Sequence, residues 1–224
     1  MRIQTSGERA RAADGSASSA GAPSIPGAPD IPDAESLTPS AARILEVASA
    51  LFYERGIHAV GVDTIAAESG VTKRTLYNNF RAKDVLIAAY LKNRHRTWWA
   101  YLEQRIAEAP APRALVLFDV YERDTLTATR GCAFLNAAAE LPDDHPGYAI
   151  VRLHKNSVER RILELIREDA IGHPDPERLA RHLFLLLEGT FAHTGVQGPG
   201  LLREAREIAH EMLSAPVSGE QPAG

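Results

Sequence analysis

The stretch from Val62 to Phe80, VDTIAAESGVTKRTLYNNF, constrains what this chain can fold into more than any other. It predicts two short helices joined by a tight turn. Ala66 is small enough for a second helix to cross close over it. Gly70 can adopt φ > 0 and end the first helix without a Cβ clash. Ile65, Val71, Leu76 and Phe80 fall on the inner side of the pair. Thr72 is placed to cap the second helix, its hydroxyl accepting from the N–H of Arg74 or Thr75. The outer face then carries Lys73, Arg74, Thr75, Tyr77 and Asn78, side chains that suit phosphates and base edges. A helical hairpin with a glycine turn also occurs as plain core, so the flanks decide.

Upstream, Thr38-Pro39 reads as an N-cap followed by proline at the first helical position. Ile44, Ala48, Leu51 and Phe52 then repeat at helical spacing, and Glu54-Arg55-Gly56 closes that helix. Gly61 serves as the next N-cap, with Asp63 favourable in the first turn. Downstream, Arg81-Ala82-Lys83-Asp84 opens a long helix reaching about Ala109. An amphipathic helix, a Gly56 turn, a helix-turn-helix and a lysine-bearing entry to a long helix follow in order. On the motifs ILEVASALF, ERG, IAAESGVTKRTLYNNF and AKDVL, residues 38–90 resemble the DNA-binding domain of the TetR family of bacterial repressors. Beyond that stretch the resemblance continues only as a pattern of helices.

The resemblance implies a two-fold dimer whose reading heads enter successive major grooves of a near-palindromic, double-stranded DNA operator. The DNA-binding candidates are Ser40, Arg43, Thr64, Thr72, Lys73, Arg74, Thr75, Tyr77, Asn78 and Lys83. Lys73 and Arg74 suit base edges best, with Thr75 and Asn78 behind them, because arginine pairs with guanine O6 and N7 and asparagine with adenine N6 and N7. Tyr77 suits a phosphate or a thymine methyl. Ser40 and Arg43 can touch phosphate; Arg43 equally suits a solvated face. In the family the lysine matching Lys83 binds phosphate, aided by the helix N-terminus. Two departures stand out. Gly61 replaces a common Ser or Thr, and Ala82 replaces a capping residue.

Charge follows the same division. Residues 1–37 carry a net −2, residues 38–96 a net +4 and residues 97–224 a net −6. The positive excess sits where a polyanion would be met. One cysteine, Cys132, excludes an intrachain disulfide framework and a cysteine-rich zinc site. No long apolar run or signal-peptide core occurs, so a cytoplasmic protein without a membrane span is expected.

Residues 1–37, with Pro23, Pro26, Pro29 and Pro32 at every third position, read as a disordered tail. Arg9 and Arg11 within it suit a minor-groove arm, but the segment's net negative charge favours a solvated tail. After the long helix, helices are expected over Ala114–Thr125, Cys132–Leu141, from Gly147 to about Ile171, over Glu177–Phe191 and at the end of the chain. Thr125–Gly131 and 194–200 read as loops. Leu201, Ala205, Ile208 and Met212 form an apolar seam on the last helix. The fold class is all-α: a three-helix helix-turn-helix domain over 38–84, a helical effector-binding and dimerisation domain over 85–213, and a disordered tail over 214–224.

By resemblance, the second domain holds a cavity for a small hydrophobic or amphipathic effector, and the last two helices form a homodimer interface. Trp98, Trp99, Phe118, Tyr121, Phe134, Asn136, Tyr148, His154, Phe184 and Glu188 are the candidates, though each also suits plain core or surface. Asn136 and Glu140, one turn apart, either face inward together or form a solvated pair. Repression released by the effector is the expected mode.

The rivals are weaker. No GxSxG, P-loop, GxGxxG or HExxH motif occurs, and the eight histidines show no metal-ligand spacing, so no enzyme, cofactor or metal is expected. A regulator controlled by a protein partner, or by oxidation of Cys132, remains an alternative; a lone cysteine on an apolar helix usually acts as a small hydrophobe.

Overall fold

The computed structural model of the protein describes residues 31–32, 34–127, 130–198 and 200–214. Among these residues the chain is all-α and contains no strand. Its helices are α1 (Pro39–Arg55), α2 (Val62–Ser69), α3 (Lys73–Phe80), α4 (Lys83–Glu108), α5 (Val116–Thr127), α6 (Ala133–Glu140), α7 (Pro146–Glu168), α8 (Pro176–Gln197) and α9 (Gly200–Ser214).

The local signals in the first domain act as the sequence predicts. Thr38 Oγ1 accepts from the Ala41 N–H at 3.2 Å, with Pro39 in the first turn of α1. Gly70 takes φ 70° and closes α2 in the left-handed conformation. Thr72 Oγ1 caps α3 by accepting from the Thr75 N–H at 3.1 Å. Ile44, Ala48, Ile65, Leu76 and Phe80 are fully buried between the three helices, so their transfer from water holds the domain together.

In the second domain α4 packs on α7, α7 on α8 and α8 on α9, while α5 lies against α4, α8 and α9. Arg161 on α7 ties this arrangement to α4. Its guanidinium reaches both oxygens of Glu103, Nε to Oε1 at 2.9 Å and Nη2 to Oε2 at 3.1 Å, and bonds Glu168 at 2.8 Å. No described helix is long and apolar enough to cross a membrane.

Three expectations need correction. The first concerns the tail over 1–37, most of which lies outside the described residues. Its last part is ordered: Ile31 is buried, Ala34–Ser36 forms a 3-10 turn, and Lys92 Nζ donates to the Ile31 carbonyl at 3.1 Å. Burial of Ile31 and the Lys92 bond offset the cost of ordering this stretch. The tail expected over 214–224 lies outside the described residues beyond Ser214, which ends α9. Second, α5 continues to Thr127 rather than ending at Thr125. Third, α8 continues to Gln197, through part of the expected loop over 194–200. Thr194 is buried there, and its hydroxyl donates to the Thr190 carbonyl at 3.3 Å, which keeps the extra turn packed.

The expected seam on α9 adjoins a second apolar stripe. The side chains buried within the protomer are Leu202, Ala205, Ala209 and Leu213. Of the expected seam, Ala205 belongs to this inner stripe, Leu201 and Met212 are half-buried, and Ile208 is exposed. The helix therefore carries two adjoining apolar stripes sharing Ala205.

Candidate nucleic-acid interface

The outer face of α3 is held out by its inner one. Leu76 and Phe80 are fully buried, while Lys73, Arg74, Tyr77 and Asn78 on the same two turns are exposed. Tyr77 keeps 43% of its surface in solvent. Arg74 makes no ion pair among the described residues and stands free to fork onto an acceptor. Lys73 does not stand alone: its ammonium pairs with Asp63 in the first turn of α2. Both partners are more than half exposed, so that pair is weak and can be exchanged for phosphate.

The hydroxyl residues sort into caps and free groups. Thr72 is occupied with the α3 cap, and its hydroxyl also meets that of Thr75 at 2.9 Å. Thr64 is half-buried on α2. Thr38 Oγ1 lies 3.2 Å from Ser40 Oγ and donates to Asn79 Oδ1 at 3.2 Å. That contact brings the start of α1, and with it Ser40, beside the end of α3. Arg43 pairs with Glu46 one turn on, an exposed pair on a solvated face.

Lys83 departs from the expected outward pose. Its Nζ donates to the Ile57 carbonyl at 2.6 Å and lies 5.9 Å over the Phe52 ring. Burial pushes its pKa below the ordinary value, against the opposing pull of Asp84 and Glu140. The lysine thus stitches the start of α4 to the turn after α1.

Of the effector candidates, the structure gathers Trp98, Tyr121, Phe134, His154 and Glu188. Phe134 stacks on His154 with centroids 3.8 Å apart, and Trp98 meets His154 edge-on at 5.0 Å and Tyr121 at 5.7 Å. The Tyr121 hydroxyl donates to Glu188 Oε1 at 2.9 Å, and Lys155 Nζ pairs with Glu188 Oε2 at 2.5 Å. Burial and the neighbouring Glu188 carboxylate both push Tyr121 well up. Trp99 lies at the edge of the cluster, against Trp98 and His95. Phe118 is buried in the same core, and Phe184 is half-buried against it. Tyr148 is half-buried with Arg152 4.7 Å over its ring. Asn136 and Glu140 are bound by backbone instead of facing inward together. Asn136 donates to the Arg130 carbonyl at 2.8 Å, and Glu140 accepts from the His58 N–H at 2.8 Å.

Sequence reasoning missed His95, Lys155 and Phe191. His95 Nδ1 lies 3.0 Å from His154 Nδ1, and both rings are buried. Burial lowers His95 to about 4 and drives His154 well down, the latter helped by Lys155 and His95. Among the described residues, His95 Nε2 and Trp99 Nε1 find no hydrogen-bond partner. The spacing of His95, Trp98, Trp99 and Leu102 along α4 was the available signal, since it puts a histidine on the apolar side of that helix. Lys155 and Phe191 join from α7 and α8, a meeting no local pattern announces. Lys155 Nζ also lies 3.4 Å from Cys132 Sγ, and the cysteine is buried. Among the described residues no group of three or more His, Cys, Asp or Glu is placed to hold a metal ion.

The comparisons converge on one class of protein. The family profile described as "Bacterial regulatory proteins, tetR family" matches residues 44–90. An uncharacterized HTH-type transcriptional regulator, Rv1255c of Mycobacterium tuberculosis, is 34% identical over 79 residues, 34% of this chain and 39% of that protein. The HTH-type transcriptional activator FasR of Mycolicibacterium smegmatis is 45% identical over 50 residues, 22% of this chain and 23% of that protein. The match thus spans well under half the length of these curated relatives. The crystal structure of SCO4454, a TetR-family transcriptional regulator from Streptomyces coelicolor, is similar over the greater part of both chains. It is 31% identical with TM-score 0.73, covering 79% of this chain and 89% of that one.

Proposed function

This chain belongs to the TetR family of DNA-binding transcriptional regulators, and from that premise we propose that it is a homodimeric repressor released from its operator by a small-molecule effector. The observation that carries this reading is the face of α3. Arg74, Tyr77 and Asn78 point to solvent from a helix whose other side is locked by Leu76 and Phe80. Ser40, Arg43, Thr64, Thr72, Lys73, Thr75 and Lys83 surround that face as phosphate contacts or caps. Lys83 would reach phosphate by exchanging the Ile57 carbonyl for it.

The dimer reading rests on α8 and α9. Leu185 is 61% exposed and Ile208 39% exposed, and Leu201 and Met212 are only half-covered. Exposed large apolar side chains on two adjacent helices fit a second copy of the same pair. Residues 38–84 then act as the reading domain and 85–213 as the effector-binding and dimerisation domain.

The effector reading rests on the cluster of Trp98, Tyr121, Phe134, His154 and Glu188, with Phe118 and Phe184 in the same core; Tyr148 and Asn136 would join it by leaving Arg152 and the Arg130 carbonyl. Buried polar atoms without partners among the described residues, His95 Nε2 and Trp99 Nε1, favour an occupant there able to satisfy them. By linkage, an effector that weakens DNA binding is itself bound less tightly by the DNA-bound protein. Selection of bound duplexes from a random library, with sedimentation of the free protein, tests the reading. A near-palindromic consensus and a dimer support it; no enriched sequence, or a monomer at micromolar concentration, contradicts it.

A further inference from the structure

A cavity of about 440 Å³ opens at the junction of the two domains, sharing only Trp98 with the residues named in the aromatic cluster. Its walls come from α1, through Ser49, from α4 and from α5. Tyr90, Trp98 and Tyr101 supply flat apolar surface, and Arg94, Arg123 and Asp124 supply charge. The guanidiniums are held in a particular way. Arg123 Cζ lies 3.8 Å over the Tyr101 ring, and Arg94 Cζ lies 5.1 Å over the ring of Tyr53 on α1. A guanidinium over an aromatic ring keeps N–H donors for a further partner, and its planar fork matches a carboxylate in two parallel hydrogen bonds.

The sign of the site follows from its neighbours. Burial raises the Asp124 pKa, while Arg94, a hydrogen bond from Trp98 and Arg123 pull it down. Asp124 is therefore already shared among donors. Two guanidiniums against one carboxylate leave the wall net positive, which repels a cation and attracts an anion. The aromatic surface adds a demand for a flat apolar body beside that anion.

We propose that this cavity binds an aromatic carboxylate, its ring against Trp98 and Tyr101 and its carboxylate forked by Arg94 and Arg123. The site is built across the domain boundary. Tyr53, under Arg94, is also the anchor of the segment between α5 and α6: its hydroxyl donates to the Gly131 carbonyl at 3.1 Å and accepts from the Arg130 N–H at 3.1 Å. Arg130 in turn donates to the Tyr53 carbonyl at 2.9 Å. A ligand that draws Arg94 off the Tyr53 ring acts directly on the helix that braces the reading head. That consequence for DNA rests on the effector reading above; the binding itself does not.

The test uses the full chain without DNA and 2-naphthoate as probe, with 2-naphthamide and benzyltrimethylammonium as neutral and cationic comparisons, followed by calorimetry. Saturable binding of naphthoate with Kd at or below about 1 mM, at least about tenfold tighter than either comparison, is expected. Arg94→Met/Arg123→Met, shown folded by circular dichroism, should weaken naphthoate at least about tenfold and leave naphthamide unchanged. Ser49→Trp, which fills the cavity from α1, should exclude all three. Equal affinity for the amide or the ammonium, undiminished binding to the double variant, or no saturable binding overturns the proposal. A separate gel shift with naphthoate reports only on the effector reading: binding without release of DNA keeps the site and removes its regulatory consequence.

Discussion

Glu140, the last residue of α6, holds His58 in the turn that follows α1. The Glu140 carboxylate accepts from the His58 backbone N–H at 2.8 Å, and its own backbone carbonyl meets His58 Nε2. A Cβ on Gly56 would come within 3.1 Å of that carboxylate, so the glycine with φ 91° leaves room for it. The second domain thereby grips the first at the turn whose Ile57 carbonyl also receives Lys83.

Glu140→Ala should loosen this grip without unfolding the molecule. Amide exchange at His58 is expected to speed up by about tenfold, the ratio that a lost charge-assisted hydrogen bond commands. Exchange along α7 should stay as it was. Equal protection of His58 in both proteins would show that the contact carries no coupling.

Lys83→Ala combines two effects that the structure predicts together. The Ile57 carbonyl loses its partner, at a cost of about 1 kcal/mol in stability measured by denaturant unfolding. DNA affinity should fall about equally for all sequences, and the slope of log affinity against log salt should flatten by about one unit if the ammonium reaches phosphate. A stability loss with an unchanged salt slope would leave Lys83 purely structural.

The pair of His95 and His154 predicts how stability depends on pH. Burial holds His95 at about 4, below the ordinary 6.5, and holds His154 well down. The unfolded chain takes up protons at both rings as pH falls through about 6.5, while the folded chain resists until about 4 at His95. Stability from these groups is therefore whole above about pH 6.5 and declines toward pH 4, with a slope approaching about 1.4 kcal/mol per pH unit for each ring. Denaturant unfolding of the wild type and of His95→Leu/His154→Leu across that window checks it. The variant should show the shallower acid slope; parallel curves would refute the assignment.

Arg161→Met should cost about 2–3 kcal/mol, because it leaves the Glu103 carboxylate largely buried with no partner among the described residues for either oxygen. Burial alone would lower the Arg161 pKa, but its bonds to Glu103 and Glu168 outweigh that and raise it. The double variant Arg161→Met/Glu103→Leu should recover most of the loss, since both charges then leave together. Failure of the second change to rescue would show that packing of the arginine stem, not the ion pair, is what matters.

The parts of this molecule that follow local rules were readable from its residues. Thr38, Gly70 and Thr72 each satisfy or end a helix with groups within four positions, so their roles needed no knowledge of the fold. The missed features are those set by distant partners. Ile31 docks although it stands in a proline-rich stretch, because it joins the buried core and Lys92, far along the chain, binds its carbonyl. α8 outlasts its Gly195 because Thr194 is buried. Lys83 turned inward to a carbonyl that only the folded turn provides. At the aromatic cluster, Trp98, Tyr121, Phe134 and His154 were foreseen as residue types, but His95 and Lys155, which give it its electrostatic character, meet it only in three dimensions.

The central claim, that the exposed face of α3 reads the bases of a duplex through Arg74, has one direct measurement. Wild type and Arg74→Ala are titrated against a selected operator and a series of its single base-pair variants at fixed salt. The wild type should discriminate by about 1–3 kcal/mol at one base-pair position in each half-site, and Arg74→Ala should lose the discrimination there while keeping it elsewhere. Unchanged discrimination at every position would contradict the account.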